Sequence, residues 1–211
     1  MIRYLYASQL AQFPRLADEM FRDRADQFIN RLGWELTTND QGWELDEYDA
    51  MNPMYVILER PDGGHAASMR VLPSMGRTMV NDHFSHLNHG IKIRAPFIWE
   101  CTRFCIAPGA GTLARDWAGT LMLGGQELGM RFGLKRALGV YDARMTRIYR
   151  NIGWEPSFIG SEGTGRDKIC LGLWPFGEEI RAKVARKVGL SPLAAAPWFD
   201  QSFPAARPMV A

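Results

Sequence analysis

A chain of 211 residues can bury a sizeable core as one large domain or two small ones, and its 46% hydrophobic and 23% charged content is that of an ordinary soluble globular protein. A formal net charge of +2 is too small for a nucleic-acid footprint over the whole molecule, so any acidic partner must be met by a local patch. No apolar run reaches the roughly 18 residues of a membrane span, and Met1-Ile2-Arg3-Tyr4-Leu5-Tyr6 lacks a signal-peptide core. Cys101, Cys105 and Cys170 are wrongly spaced for a zinc framework and read as small buried hydrophobes. A cytoplasmic protein without stable membrane association is expected.

Residues 2–6 predict a first strand. Leu16, Ala17, Met20, Phe21, Ala25, Phe28, Ile29 and Leu32 then recur at helical spacing until Gly33. A polar loop over 37–42 leads into the acidic segment Glu44-Leu45-Asp46-Glu47-Tyr48-Asp49. Apolar runs at 55–58 and 67–72 flank Pro61-Asp62-Gly63-Gly64, a hairpin turn. A short helix is expected over 79–87. The stretch Phe97-Ile98-Trp99-Glu100-Cys101-Thr102-Arg103-Phe104-Cys105-Ile106 reads as a strand buried on both faces. Helices over 113–132, 143–151 and 178–188 alternate with strands over 137–141 and 168–174. This order predicts a mixed sheet covered by helices. Residues 1–190 then form the domain, and the Pro- and Ala-rich residues 191–211 a poorly ordered tail.

Two charges interrupt the 97–106 strand. Burying a carboxylate and a guanidinium costs several kcal/mol unless they are paired or hydrogen-bonded. Glu100 and Arg103 are therefore either a structural ion pair or groups kept for chemistry. Being three apart, they point to opposite faces of a regular strand, unless a bulge between them aims both at one pocket. Arg70 similarly breaks an apolar hairpin strand, on the face of Ser68 and Leu72. Arg24 and Phe28 share a helix face. Read alone, Asp46 and Asp49 are a charged loop. His83, His86 and His89 are spaced awkwardly for a single metal and read better as a surface helix end. Gly109-Ala110-Gly111 and Gly124-Gly125 match no phosphate-binding fingerprint and read as a turn and a close packing point.

Taken together, Arg24-x3-Phe28-x5-Trp34, Asp46-x2-Asp49, Met69-Arg70, Phe84, Trp99-Glu100-x-Thr102-Arg103-Phe104 and Arg147-x2-Arg150-x2-Gly153-Trp154 keep a common order and spacing. Over roughly residues 1–175 this pattern resembles the LuxI-type acyl-homoserine lactone synthases, the autoinducer synthases. The resemblance implies an α/β (α+β) single-domain N-acetyltransferase-like fold, a twisted mixed sheet with helices on both faces and a V-shaped cleft. It also implies the reaction: the amine of S-adenosylmethionine takes an acyl chain from acyl carrier protein, or from coenzyme A, and the product lactonises with release of methylthioadenosine. S-adenosylmethionine is then a substrate, and no cofactor or metal is required.

On this resemblance Glu100 is the base, and Arg103 holds Glu100 or an aspartate and binds the substrate carboxylate. Arg24, Asp46, Asp49 and Arg70 order the N-terminal segment over the cleft. Phe28, Trp34 and Phe84 line the adenosylmethionine site, with Thr102, Phe104 and Tyr141 as further substrate contacts. Family members using 3-oxoacyl donors tend to carry Thr where this chain has Tyr141, which predicts an unsubstituted or 3-hydroxy chain. Arg144, Arg147, Arg150, Arg166 and Lys168 are candidates to receive an acidic carrier, with Arg181, Lys183, Arg186 and Lys187, which read as easily as a solvated helix end. An N-acetyltransferase using acetyl-coenzyme A would show a Gln/Arg-x-x-Gly-x-Gly/Ala loop after the central strand, which is not evident. A catalytically silent binding domain leaves Glu100, Arg103, Arg70 and the Asp pair without a joint explanation.

Overall fold

Turn chemistry and strand pairing build the first half of the sheet in the computed structural model, which describes residues 1–204. The chain begins with β1 (Ile2–Tyr6) and α1 (Pro14–Ala25), the latter opened by Pro14. It continues into β2 (Met54–Glu59) and β3 (His65–Pro73). Between those two strands Gly63 takes φ +84°, which only glycine adopts freely, and Asp62 accepts the Gly64 amide at 3.1 Å. Then follow α2 (Met79–His83), β4 (Ile98–Ile106), α3 (Ala114–Arg131), β5 (Arg136–Asp142) and α4 (Met145–Ile152). The chain ends with β6 (Ser157–Glu162), β7 (Ile169–Pro175), α5 (Glu178–Val188) and α6 (Ala196–Ser202).

The seven strands form one sheet in the order β1-β2-β3-β4-β5-β7-β6, antiparallel except between β4 and β5. Those two pair only over Ile98–Glu100 against Arg136–Leu138, and beyond that point the sheet is open. Helix α3 covers one face through Leu121, Met122, Leu123 and Leu128, packed on Ile2, Tyr4, Val56, Met69 and Trp154. Gly124 and Gly125 let it approach closely: a Cβ on either would collide with Ile2 or Met69. On the opposite face α1 buries Leu16, Met20 and Phe21 on Tyr55 and Ile57, while Val80 and Leu87 pack on Leu138 and Leu171. The mixed sheet with helices on both faces is therefore as expected. Among the described residues no helix is long and apolar enough to cross a membrane.

Two features differ from expectation. Strand β6 is an edge strand with exposed Ser157 and Phe158 and an interior Gly160, so it lacks the apolar alternation that marks a half-buried strand. The tail is ordered as far as α6. Its proline and alanine content concealed three aromatics that dock it: Phe199 packs edge-on to Tyr4, with ring centroids 5.0 Å apart, while Trp198 and Phe203 join the same cluster. Arg131 pairs with Asp200 at 2.9 Å, and Ser202 Oγ accepts the Tyr4 amide at 3.2 Å. Residues 205–211 lie outside the described residues. Because Phe199 is buried, Phe199→Ala is expected to destabilise the fold by about 3 kcal/mol, read as a lowered midpoint in urea unfolding.

Candidate active site

The site starts from a backbone irregularity in β4. Ser68 pairs with Cys105 and Arg70 with Thr102, so β4 uses three residue steps where β3 uses two. Arg103 absorbs the extra residue with φ +52°, a left-handed conformation uncommon for a side chain of its size and costing about 1–3 kcal/mol. The bulge resolves the parity conflict. Thr102 stays on the face of Arg70 and accepts its Nε at 3.0 Å, and Arg103 is re-aimed to that same face. Phe104 turns to the α3 side instead.

Three arginines and three carboxylates meet there. Arg24 bonds Glu44 through Nε at 2.7 Å and grips Asp49 with both terminal nitrogens at 3.0 and 3.1 Å. Arg70 clasps Asp46 and lies 2.9 Å from Asp49. Arg103 donates to Glu44 from Nε at 3.1 Å and from Nη2 at 2.8 Å, and pairs with Asp46 at 2.9 Å. Tyr55 donates its hydroxyl to Asp49. Arg24, Arg70 and Glu44 are each no more than 1% exposed. Such burial is tolerable because the charges balance and nearly every lone pair is used. Burial alone would raise the Asp49 carboxyl, but Arg24, Arg70 and Tyr55 outweigh it and hold the group well below the usual carboxylate range.

Glu44 is the member that sequence reasoning missed. It lies in the acidic segment but two residues before the matched Asp46, and only its contacts with both Arg24 and Arg103 reveal it as the hub. Asp46 and Asp49, expected as a charged loop when read alone, are instead anchored inward.

Glu100 sits beside this cluster and not within it. Its Oε2 accepts the Met79 amide at 2.9 Å and its Oε1 the Val80 amide at 2.6 Å, so it seats the N-terminus of α2. Of the two partners expected for Arg103, Glu100 or an aspartate, the structure contains the aspartate: Arg103 pairs with Asp46 at 2.9 Å and bonds Glu44, not Glu100, because the bulge carries its guanidinium toward the acidic segment. Burial pushes the Glu100 carboxyl up to about 7, with Asp46 adding to the shift, while the Val80 and Met79 amides and Arg70 pull it down. A carboxyl poised near neutrality can accept and return a proton at physiological pH.

Aromatics close the same side. After α1 the helix widens into a π turn over Asp26–Arg31, and the Trp34 amide returns to the Phe28 carbonyl at 2.9 Å. The two rings stack 4.9 Å apart, nearly parallel, with the Arg103 guanidinium 5.7 Å from Phe28. Phe84 lies at the end of α2, packed with Val80, Leu87 and Leu138. Tyr141 and Phe104 are on the opposite, α3-covered face, so the structure does not bring them to the Phe28–Trp34 side. Tyr141 is held edge-to-face by Tyr149 at 5.6 Å and Trp174 at 5.2 Å.

The basic candidates divide. Arg147 is exposed on α4 beside exposed Ile148, Arg150 reaches Glu155 at 3.5 Å, and Lys168 is half-buried just before β7. Arg144 is taken up by Asp142, and Arg181 by buried Glu127 at 2.9 Å, which removes both from an open patch. Lys183 lies 3.8 Å from Glu155, Arg186 and Lys187 end α5, and the side chain of Arg166 lies outside the described residues. His83 and His86 diverge to Glu47 at 3.0 Å and Glu162 at 2.9 Å, as surface positions do.

A mixed sheet opened between two parallel strands and covered by helices on both faces is an N-acetyltransferase-like fold. A Lactobacillus plantarum protein solved as an N-acetyltransferase candidate superposes with a TM-score of 0.55 at 13% identity, covering 83% of this chain and 99% of its own. The CoA-dependent acyl-homoserine lactone synthase BjaI, solved with SAM and isopentyl-CoA, superposes with a TM-score of 0.78 at 18% identity, covering 90% of each chain. An acyl-homoserine-lactone synthase of Rhizobium etli is 40% identical over 194 residues, spanning 88% of this chain and 91% of that protein. The family described as autoinducer synthase matches residues 9–184, and the chain belongs to it. It is an enzyme of the acyl-homoserine-lactone synthase class, an acyltransferase.

Proposed function

We propose that this protein makes an acyl-homoserine lactone from S-adenosylmethionine and an acyl chain carried by acyl carrier protein, as one domain that includes α6 and with no cofactor. The observation that carries the reading is the placement of Glu100, a carboxyl poised near pH 7, next to the Arg70–Arg103 cluster where the sheet opens. Glu100 takes the proton that the substrate ammonium must lose, directly or through one water. The freed amine attacks the thioester carbonyl, the new N–C bond forms and the carrier thiolate leaves. The methionine carboxylate then attacks its own γ-carbon, the C–S bond of the sulfonium breaks, and methylthioadenosine departs with the electron pair.

Arg103 serves the substrate carboxylate through Nη1, whose nearest partner is the Met79 thioether at 4.0 Å, because its other nitrogens are engaged by Glu44 and Asp46. Arg24, Arg70, Asp46 and Asp49 keep that arginine and the acidic segment in place. The Phe28–Trp34 stack and Phe84 wall the adenosyl group and its sulfonium. The acyl chain passes to the α3 side, past Thr102, Phe104 and Tyr141. The pinned Tyr141 ring leaves no short hydroxyl arm for a 3-oxo group. Arg147 and Arg150, flanking Ile148 on α4, together with Lys168, form a basic and apolar surface suited to an acidic carrier.

The test supplies S-adenosylmethionine with a panel of acyl donors on carrier protein and on coenzyme A, and measures methylthioadenosine and lactone by mass spectrometry. Equal amounts of both products are expected, with faster turnover from the carrier-protein donors and an unsubstituted or 3-hydroxy chain. A preference for coenzyme A donors would move the acyl source, as BjaI illustrates for its own chain. A dominant 3-oxo product would remove the Tyr141 argument.

A further inference from the structure

Helix α2 is only five residues long, too short to hold its own position. It nevertheless supplies both amides that hold Glu100. What fixes the helix therefore fixes those donors. Three buried or part-buried side-chain contacts do so, and exposed His83 at the end of the helix adds a surface pair with Glu47 at 3.0 Å. Thr78 caps it, accepting the Asn81 amide at 3.3 Å. Buried Asn81 clamps the Ile93 backbone through both of its amide atoms, at 2.9 and 2.8 Å. The third contact comes from the acidic segment: Tyr48 donates its hydroxyl to Asp82 at 3.1 Å.

Tyr48 is well suited to such a link. Its ring is buried, with the Arg70 and Arg77 guanidinium carbons each 5.5 Å from its centroid. Its amide is bonded to Asp46 at 2.9 Å, so its backbone is tied to the ionic cluster. Arg77 reinforces the junction from outside, reaching Asp82 at 2.9 Å and Glu47 at 2.6 Å. An unbroken chain of contacts then runs from Asp46 through Tyr48 and Asp82 to α2, and from its first amides to Glu100.

We propose that Tyr48 and Asp82 are positioning residues for Glu100: their hydrogen bond fixes α2 against the acidic segment and so aims the Met79 and Val80 amides at the Glu100 carboxylate. The inference rests on the reading of Glu100 as the base only for its kinetic meaning; the geometry stands without it. The groups facing Glu100 are these two amides from α2, Arg70 from β3, Asp46 from the acidic segment and the Leu138 side of β5. Cys101, next in β4, has its thiol pushed up to about 12 by burial and stays neutral. Loosening α2 weakens the amide donors while Arg70 and Asp46 stay anchored, and amide bonds to a carboxylate favour its ionised form. The Glu100 midpoint must therefore rise.

The experiment is a ¹³C NMR titration of carboxyl-labelled protein, with Glu100→Gln to assign the resonance. Tyr48→Phe removes one hydroxyl and keeps the ring between the two arginines, and Asp82→Asn changes the other partner. In both variants the Glu100 midpoint is expected to move up by about half a unit or more. The acidic limb of the turnover–pH profile should follow it, with little change in the KM for S-adenosylmethionine. A Glu100 midpoint unchanged in folded Tyr48→Phe overturns the inference, whatever Asp82→Asn does. Full turnover of Glu100→Gln would instead remove the base assignment and leave the titration result to decide the positioning role.

Discussion

Glu100→Gln is expected to lower the rate of acyl transfer by about 10² or more while S-adenosylmethionine still binds. Gln matches the size of Glu and can accept one of the two α2 amides, so the fold has a means of surviving the change. Its amide nitrogen then faces the other backbone N–H, a mismatch costing about 1–3 kcal/mol. What is lost outright is proton acceptance. The substrate amine arrives as an ammonium ion, and among the described residues the bulged face offers no second carboxylate without a guanidinium already upon it, since Glu44, Asp46 and Asp49 are all paired. Undiminished turnover in single-turnover kinetics would remove Glu100 from the chemistry and leave it as the anchor of α2.

The second large effect is expected at a residue that touches no substrate. Glu44→Gln removes the charge shared by Arg24 and Arg103 and leaves two buried guanidinium groups undercompensated. Breaking a buried pair from one side costs about 3–5 kcal/mol. For a chain of this length that corresponds to a Tm lower by roughly 10 °C in calorimetry. Activity should fall too, because Arg103 loses the partner that holds its left-handed backbone in place. The pH response has a definite sign. Asp49 has a depressed folded pKa, so its contribution to stability is fully present above the ordinary aspartate value and is lost as pH falls through its folded value. Glu100 acts oppositely: its raised pKa stabilises the fold below the ordinary glutamate value, and that contribution is lost as pH rises toward about 7.

Much of this arrangement is legible in the residues. Helical spacing marks α1, the Asp62-Gly63-Gly64 turn marks the first hairpin, and charges inside an apolar run single out β4, as either a structural ion pair or groups kept for chemistry. Parity alone raised the choice between two faces and a bulge at Glu100 and Arg103, and the structure contains the bulge. The parts that escaped have physical reasons. Glu44 differs from its acidic neighbours only in where the loop folds, a long-range matter with no local periodicity. Tyr48 and Asp82 meet across more than thirty residues of chain. Strand β6, paired on one edge and largely exposed, has no apolar pattern to show. Composition read the segment after α5 as a loose tail because it counts prolines and alanines but not where Phe199 lands.

The Arg103 bulge gathers Glu100, Arg70 and Arg103 on one face of an opened sheet, the face proposed to receive S-adenosylmethionine. The most direct measurement is a crystal structure of the protein with S-adenosylmethionine bound. The adenosyl group is expected against Phe28 and Trp34, the carboxylate on Arg103 Nη1, and the amine within about 3 Å of Glu100 or one water away from it. An amine on the α3 face of the sheet, or out of reach of Glu100 by more than a single water, would contradict it.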